Sequence, residues 1–450
     1  MFDFSSLELS HFLLATAILL ALAHLLGYFA ERLMIPRVIG EVASGILLGP
    51  TLLGYFYPSA FSWLFSGFPQ EDRMFGLMYQ IGLTLLMFCS GLKFHTKFKK
   101  GDGKIITVIV LTSTILPFAL GWIATNLFNF QQFIGPANSE FAIKIVIAIS
   151  IAVTSIPVIS KIFNDLGIMQ SRFAKLVIAI AGVHDTLLWV ALGIATSVAG
   201  HSGSVTSGAV FKSIGITAGF IMVTLFSLSF LFKNLTIRNG NFLFRASHVG
   251  YFLFIMFVVS SIAGYLNIDT IFGALLAGIG AKWALPPTLF KRLEQSVLHI
   301  SFSWFIPVYF AVVGLKLDLA KHFEPLFFLQ YLLFATLAQS IIVFLACKII
   351  HQDRLTSMNF AMAMNARGGP GIVLSTVAFS AGIINQDFFA ILVMLALITS
   401  WLAGSWLRLV LNKGWRLMPG DEDLVPEKIN NDSDIIVLQQ QIKYEKLEGK

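Results

Sequence analysis

The sequence predicts an all-α polytopic membrane protein with about thirteen transmembrane helices, and three observations point there. Of the 450 residues 56% are hydrophobic and only 12% are charged, about half the charged share of an ordinary soluble domain. Mean hydropathy is +0.80. Apolar runs of about twenty residues recur from end to end, each long enough to cross about 30 Å of hydrocarbon as a helix. A membrane barrel would show alternating segments of about ten residues instead, and the sequence has none.

In chain order the spans fall near 9–31, 37–56, 75–92, 104–128, 141–162, 172–198, 206–232, 247–266, 268–284, 300–316, 326–350, 356–383 and 386–412. The chain opens MFDFSSLELS, acidic rather than basic, and the first apolar run is too long for a signal core, so no cleavable signal is expected. The second span carries a single acid, Glu41. Most of the others are simply oily, with Gly and Pro frequent inside them as membrane helices allow. The informative places put charge, Pro or Gly at mid-depth.

The fifth span contains AISIAVTSIPVIS. Pro157 removes a backbone donor and clashes with the carbonyl four residues back, and Thr154 and Ser155 stand just before it. An ordinary proline kink is one reading. A locally unwound helix, whose freed carbonyls and hydroxyls offer oxygen ligands to an ion, is the sharper one. It is preferred because a carboxylate-bearing span follows at once.

In the sixth span, AIAGVHDTLLWVALGIA has His184 and Asp185 as its only ionisable groups. A central Asp costs roughly 2.5–3.5 kcal/mol on insertion scales. A neutral Asn would make a purely structural hydrogen bond with less desolvation. Asp185 is therefore expected to bind a cation and a proton in turn, since either guest removes the charge that attracts the other. His184 points about 100° away on a regular helix. It is read either as a packed hydrogen-bonder or as a second proton carrier.

The twelfth span contains AMNARGGPGIVLS. No regular helix tolerates Gly368, Gly369, Pro370 and Gly371 in a row, so a break is expected there. Arg367 either snorkels to the cytoplasmic edge or neutralises the broken helix ends and sets the local field. The fifth and twelfth spans are each next to last in a six-span block, with the seventh span as linker. The two blocks then run in opposite orientations, and paired interruptions in matching places point to two inverted six-helix repeats with a midplane site.

Loop charge supports an odd count. With the N-terminus outside, the inward loops hold Arg32, Arg37, a lysine cluster from Lys93 to Lys104, Arg172, Arg245, Lys282, Arg354 and Arg416, among others. The outward loops hold only Arg73, Lys144, Lys212, Lys316 and Lys321. The positive-inside bias then sets the C-terminus in the cytoplasm and suggests a cell (plasma or inner) membrane. Residues 1–412 read as one transmembrane domain and 413–450 as a short cytoplasmic tail, largely disordered. The tail has no Gly-rich phosphate loop, so no nucleotide-binding domain is expected in it. The formal charge of +7 belongs to the loops and does not call for nucleic acid. Cys89 and Cys347 lie in apolar segments and suggest neither a disulfide nor a transition-metal site, and no cofactor is expected.

Several stretches together resemble the monovalent cation:proton antiporter-2 family. These are IPRVIGEVASGILLGPTLLG (Ile35–Gly54), the Thr-Ser-x-Pro of the fifth span, the Asp of the sixth, IDTIFGALLAGIGAKW (Ile268–Trp283), FIPVYFAVVGLKLDL (Phe305–Leu319) and MNARGGPGIVLS (Met364–Ser375). The resemblance covers about residues 10–412 and implies a homodimer and a thirteen-helix fold with a dimer domain and a mobile core domain, in which two crossing broken helices, the fifth and twelfth, lie beside the ion-binding Asp. It implies that Asp185 is the shared ion and proton carboxylate, that Thr154 and Ser155 match ligand positions, and that Glu41 matches a frequent family acid. The sequence departs from the family in three ways. His184 stands where an acid or amide usually precedes the key Asp. The place of a mid-helix lysine in the eleventh span falls near Gln339. The nucleotide-gated module of the potassium-efflux members has no counterpart. The first two departures favour an electroneutral one-for-one exchanger.

The function expected is a secondary antiporter, not an enzyme, moving Na⁺ or K⁺ against H⁺ across the lipid bilayer by alternating access. The alternatives are a cation channel using the same acid and a membrane protein that senses an ion and signals through its tail.

Overall fold

The computed structural model describes residues 5–33, 35–68, 70–92, 102–199, 207–231, 242–266, 268–284 and 287–421. They form helices α1 (Ser6–Arg32), α2 (Arg37–Leu48), α3 (Leu53–Phe56), α4 (Pro58–Phe65), α5 (Glu71–Leu92), α6 (Gly103–Ala124), α7 (Glu140–Ala152), α8 (Ile156–Asp165), α9 (Arg172–Ala199) and α10 (Ser207–Leu231). The second half adds α11 (Phe242–Ala246), α12 (His248–Tyr265), α13 (Thr270–Ala284), α14 (Pro287–Ile300), α15 (Ile306–Leu315), α16 (Pro325–Ile349), α17 (Arg354–Ala363), α18 (Gly368–Ser380) and α19 (Gln386–Asn412). Among the described residues, nine helical segments are long and apolar enough to cross a membrane, and no strand occurs beyond one isolated bridge between Ile134 and Ile384.

Helix ends follow local chemistry. Ser5 and Glu8 form a capping box on α1, and Ser139, Asp353 and Asn385 each accept an N–H in the first turn of α7, α17 and α19. Two of the expected continuous spans are subdivided. The span near 37–56 ends its first helix at Leu48, because Gly49 is extended (φ −87°, ψ −173°) ahead of Pro50, the conformation that a following proline favours. The span near 300–316 enters through a π-helical turn, Ser301–Phe305, before α15. Pro307 has no N–H to return to this turn, and a wider turn relieves that loss.

The helices form two layers. One contains α1, α2, α5, α12, α13 and α15; the other contains α6 to α9 and α16 to α19; α10 touches both α9 and α13. Backbones in the first layer approach closely. A Cβ at Gly45 of α2 would meet the Ala311 carbonyl of α15, and one at Gly314 would meet the Val42 carbonyl. Small residues at such crossings let membrane helices gain contact where no hydrophobic drive exists between them. At the rim, Leu329, Leu333, Leu337, Ile341 and Leu345 of α16 are exposed at spacings of four, an apolar stripe suited to lipid.

The start of the tail is packed against the second layer. Leu417 and Met418 are buried with Phe163, Phe173 and Phe360. The Asp421 carboxylate accepts the N–H groups of Arg172 and Phe173 at 2.7 and 3.0 Å, capping the N-terminus of α9. Residues 422–450, where the rest of the disorder expectation falls, lie outside the described residues.

Candidate functional site

The chain unwinds twice inside the second layer. Helix α7 stops at Ala152, Val153 turns extended (φ −70°, ψ 137°), and α8 resumes at Ile156. Pro157 therefore sits in the first turn of α8, where its missing N–H costs no helical bond. Helix α17 stops at Ala363 and α18 starts at Gly368. The break expected at the Gly-Gly-Pro-Gly run thus lies one step earlier, over residues 364–367, and the run itself forms the first turn of α18. A helix N-terminus accepts glycine and proline there because its first N–H groups have no intrahelical partner. Gly368 has φ +34°, which favours glycine, and its own N–H donates to the Ser400 hydroxyl at 2.9 Å.

The two breaks are bonded to each other. The Thr154 hydroxyl donates to the Met364 carbonyl at 2.6 Å, and the Ser155 N–H donates to the Ala366 carbonyl at 2.6 Å, across 210 residues of chain in the first case. Since the Thr154 proton is committed to Met364, its oxygen lone pairs are what it offers to another group. The Ser155 oxygen accepts the Val158 N–H at 3.3 Å and so caps α8.

Arg367 is buried, at 1% exposure, rather than extended to an edge. Its guanidinium donates to the Ser150 carbonyl (2.9 Å), the Ile151 carbonyl (3.2 Å), the Ala335 carbonyl (2.9 Å) and the Asn365 side chain (3.1 Å). A cation at the C-terminal end of α7 meets the negative pole of that helix, and full hydrogen bonding offsets its desolvation. Asn365 is itself held by the Ala361 carbonyl and Ser340. The Ser150 hydroxyl donates to Ile147 and accepts from the Tyr331 hydroxyl at 2.5 Å. Asn365 could have been flagged as a second polar group in the quoted MNARGG; Tyr331 carried no signal, being one aromatic among many in an oily span.

Helix α9 packs against α7, α8, α18 and α6. Asp185 occupies its middle; the side chains of Asp185 and Pro157 lie outside the described residues. His184 is fully buried, and its Nε2 pairs with the Ser113 hydroxyl of α6 at 2.9 Å. Ser113 gives its proton to the Ile109 carbonyl, so Nε2 is the donor of the pair. His184 is thus fastened to α6. Gln339 lies one turn beyond Ala335 on α16, fully buried, with neither amide atom partnered among the described residues.

A cavity of about 410 Å³ reaches the breaks from the Arg37 end. Glu31, Arg37 and Glu41 line its mouth, and Val158, Trp189, Gly369 and Pro370 line its depth. Trp189 is one helical turn after Asp185. Glu41 is 5% exposed and paired with Arg37 at 2.9 Å, and Arg37 also contacts His24, whose Nε2 reaches the Ser303 carbonyl at 2.9 Å. The structure therefore brings together Thr154, Ser155, Arg367, Gly368, Gly369 and Pro370, places Glu41 on the cavity that borders them, and bonds His184 to Ser113 of α6.

Among known proteins, the chain is 26% identical over 394 residues to the Na(+)/H(+) antiporter NhaS4 of Synechocystis sp., covering 85% of this chain and 93% of that one. It is 29% identical over 431 residues to K(+)/H(+) antiporter 1 of Saccharomyces cerevisiae, covering 92% and 48% respectively. To Cation/H(+) antiporter 17 of Arabidopsis thaliana it is 26% identical, over 91% of this chain and 49% of that one. The chain thus spans about half the length of the yeast and plant relatives. The solved sodium proton antiporter MjNhaP1 from Methanocaldococcus jannaschii shares the fold, with TM-score 0.61 at 16% identity over 89% of this chain and 98% of that one. The profile of the sodium/hydrogen exchanger transmembrane family matches residues 18–413, and the chain belongs to that family.

Proposed function

We propose that the chain is a secondary antiporter that exchanges a monovalent cation, Na⁺ or K⁺, for protons by alternating access. The observation that carries this is the pair of unwound segments, bonded to each other beside α9 and reached by an open cavity. Helices interrupted at matching places are what a transporter uses to bind an ion at mid-depth. A related role in the named relatives, Na⁺/H⁺ in NhaS4 and K⁺/H⁺ in the yeast protein, supports the substrate class.

In this mechanism thirteen spans form two inverted blocks, each broken pair counting once and α10 serving as linker. The N-terminus faces outward, the tail faces the cytoplasm, residues 1–412 act as one transmembrane domain, and the protein works as a homodimer in a cell membrane. Asp185 exchanges a proton for a cation, and Thr154, Ser155 and freed carbonyls complete the cation's oxygen shell. Arg367 stays fixed to the α7 carbonyls and sets the field. His184 orients α9 through Ser113. Only the loaded states cross, because an empty carboxylate at mid-depth is uncompensated. One acid and a neutral Gln339 make the exchange electroneutral.

Proteoliposomes containing a pH dye, challenged with Na⁺, K⁺, Li⁺ and NH₄⁺ with and without a clamped potential, test this. Asp185→Asn is expected to abolish cation-driven proton flux and leave a monodisperse, folded protein. Undiminished flux in that variant removes Asp185 from the mechanism, and currents far above thousands of ions per second would make the protein a channel.

A further inference from the structure

At the end of α2 opposite Arg37, where Gly49 meets Leu315 and the Thr51 hydroxyl donates to the Leu317 carbonyl, four side chains join the two layers. Tyr79 of α5 and Tyr309 of α15 lie ring to ring, with centroids 5.2 Å apart. Both are buried, at 1% and 0% exposure. The Tyr309 hydroxyl reaches the Thr376 hydroxyl of α18 at 3.3 Å, a bond from the first layer to the broken helix of the second. On the ring of Tyr79 sits the Lys316 ammonium, 3.6 Å from the centroid. The Lys316 carbonyl, in turn, accepts the Gln386 side chain at 3.3 Å, a second bond between the layers. Residues near this seam are tightly fitted: a Cβ at Gly82 would lie 2.8 Å from that of Tyr309.

We propose that Tyr79, Tyr309, Thr376 and Lys316 form the gate that closes the ion path at the end opposite the cavity, with Lys316 as a tethered cation that holds it shut. This rests on the antiporter reading above. A cation over an aromatic face is attracted by the ring quadrupole. With Lys316 seated on Tyr79, that face is occupied, Tyr79 is held against Tyr309, and Tyr309 holds Thr376. For the second layer to move and expose the site on this side, the Tyr309–Thr376 and Gln386–Lys316 bonds must break together. Lys316 is a positioning residue: it sets how often the gate opens and does not ligate the transported ion.

Removing the ammonium with Lys316→Gln raises the population open on the Lys316 side. An apparent affinity scales with the fraction of protein competent to bind from that side. The apparent KM for the cation measured from the Lys316 side should fall at least about two- to five-fold, the factor of an exposed cation–π contact, because the half-buried Lys316 on a buried ring makes this contact no weaker. From the Arg37 side it should not fall, and Lys316→Arg should keep wild-type values because a guanidinium also seats on an aromatic ring. A second measurement needs no transport. With Cys89 and Cys347 replaced, Thr376→Cys should react with a membrane-impermeant maleimide from the Lys316 side faster in the presence of Lys316→Gln than with Lys316. An equal KM change from both sides, no change at all, or a labelling rate unaffected by Lys316→Gln would overturn the gate. Should wild-type vesicles exchange no cation while labelling still responds to Lys316→Gln, the gate stands and the antiporter assignment falls.

Discussion

The two unwound segments occupy corresponding places in the chain but are built differently. The first, between α7 and α8, is uncharged and extended, and it contributes hydroxyls: Thr154 to the Met364 carbonyl and Ser155 to the cap of α8. The second, between α17 and α18, is compact; its Met364 and Arg367 keep near-helical dihedrals before Gly368 turns to φ +34°. It contributes a charge, and that charge is spent on the first segment, on the Ser150 and Ile151 carbonyls. Each break thus satisfies the orphan groups of the other. A repeated fold does not repeat its chemistry: the negative end of α7 meets a guanidinium, while the Met364 and Ala366 carbonyls accept from the neutral Thr154 hydroxyl and Ser155 N–H.

The largest expected effect comes from removing the charge. Arg367→Met leaves the Ser150 and Ile151 carbonyls at the end of α7 without their donor, and each buried group so stranded costs about 1–3 kcal/mol. The detergent-solubilised variant should lose its folded peak after mild heating in a size-exclusion assay. Arg367→Lys should recover only part of the loss, because an ammonium cannot span carbonyls on α7 and α16 as a planar fork does. A variant as heat-resistant as wild type would mean that the second break does not stabilise the first.

A smaller effect is expected at the first break. Thr154→Val deletes the hydroxyl bonded to Met364 and should cost about 1 kcal/mol of stability, with cation affinity reduced about ten-fold if one oxygen ligand is lost. Thr154→Ser keeps the oxygen and should restore the affinity. Equal affinities for Val and Ser, read from the cation dependence of proton flux, would remove Thr154 from the ion's shell.

The smallest effect tests a group remote from both breaks. Partial burial pulls the Asp353 carboxyl up, but the Thr356 N–H and the Arg416 guanidinium outweigh it and hold the group below the usual carboxylate range. A depressed folded value stabilises the protein above the unfolded value of about 4, and that contribution is lost as pH falls through the folded one. Asp353→Ala should lower stability near neutral pH by about 1 kcal/mol, the usual worth of an N-cap. Thermal melts of variant and wild type should draw together as pH falls through the lowered folded value, where the wild-type carboxylate is protonated and loses its charge. A constant gap across that range would assign the effect to packing alone.

The sequence by itself determined where the membrane helices run, since hydropathy and length are local properties of a window. It also located both interruptions to within a few residues, through Pro157 and Gly368–Gly371, because proline and glycine act on their own turn. It picked out Arg367 and Glu41 as charges in oily spans. Only the tertiary structure decided that the two breaks bond to each other, that Arg367 turns to α7 and α16, that His184 turns to Ser113 on α6, and that residues 413–421 dock on α9. It alone brought Tyr79, Tyr309, Thr376 and Lys316 together across the two layers. These depend on groups far apart in the chain, and in a span where nearly every residue is apolar no local pattern records which hydroxyl or carbonyl a neighbouring helix will bring within 3 Å.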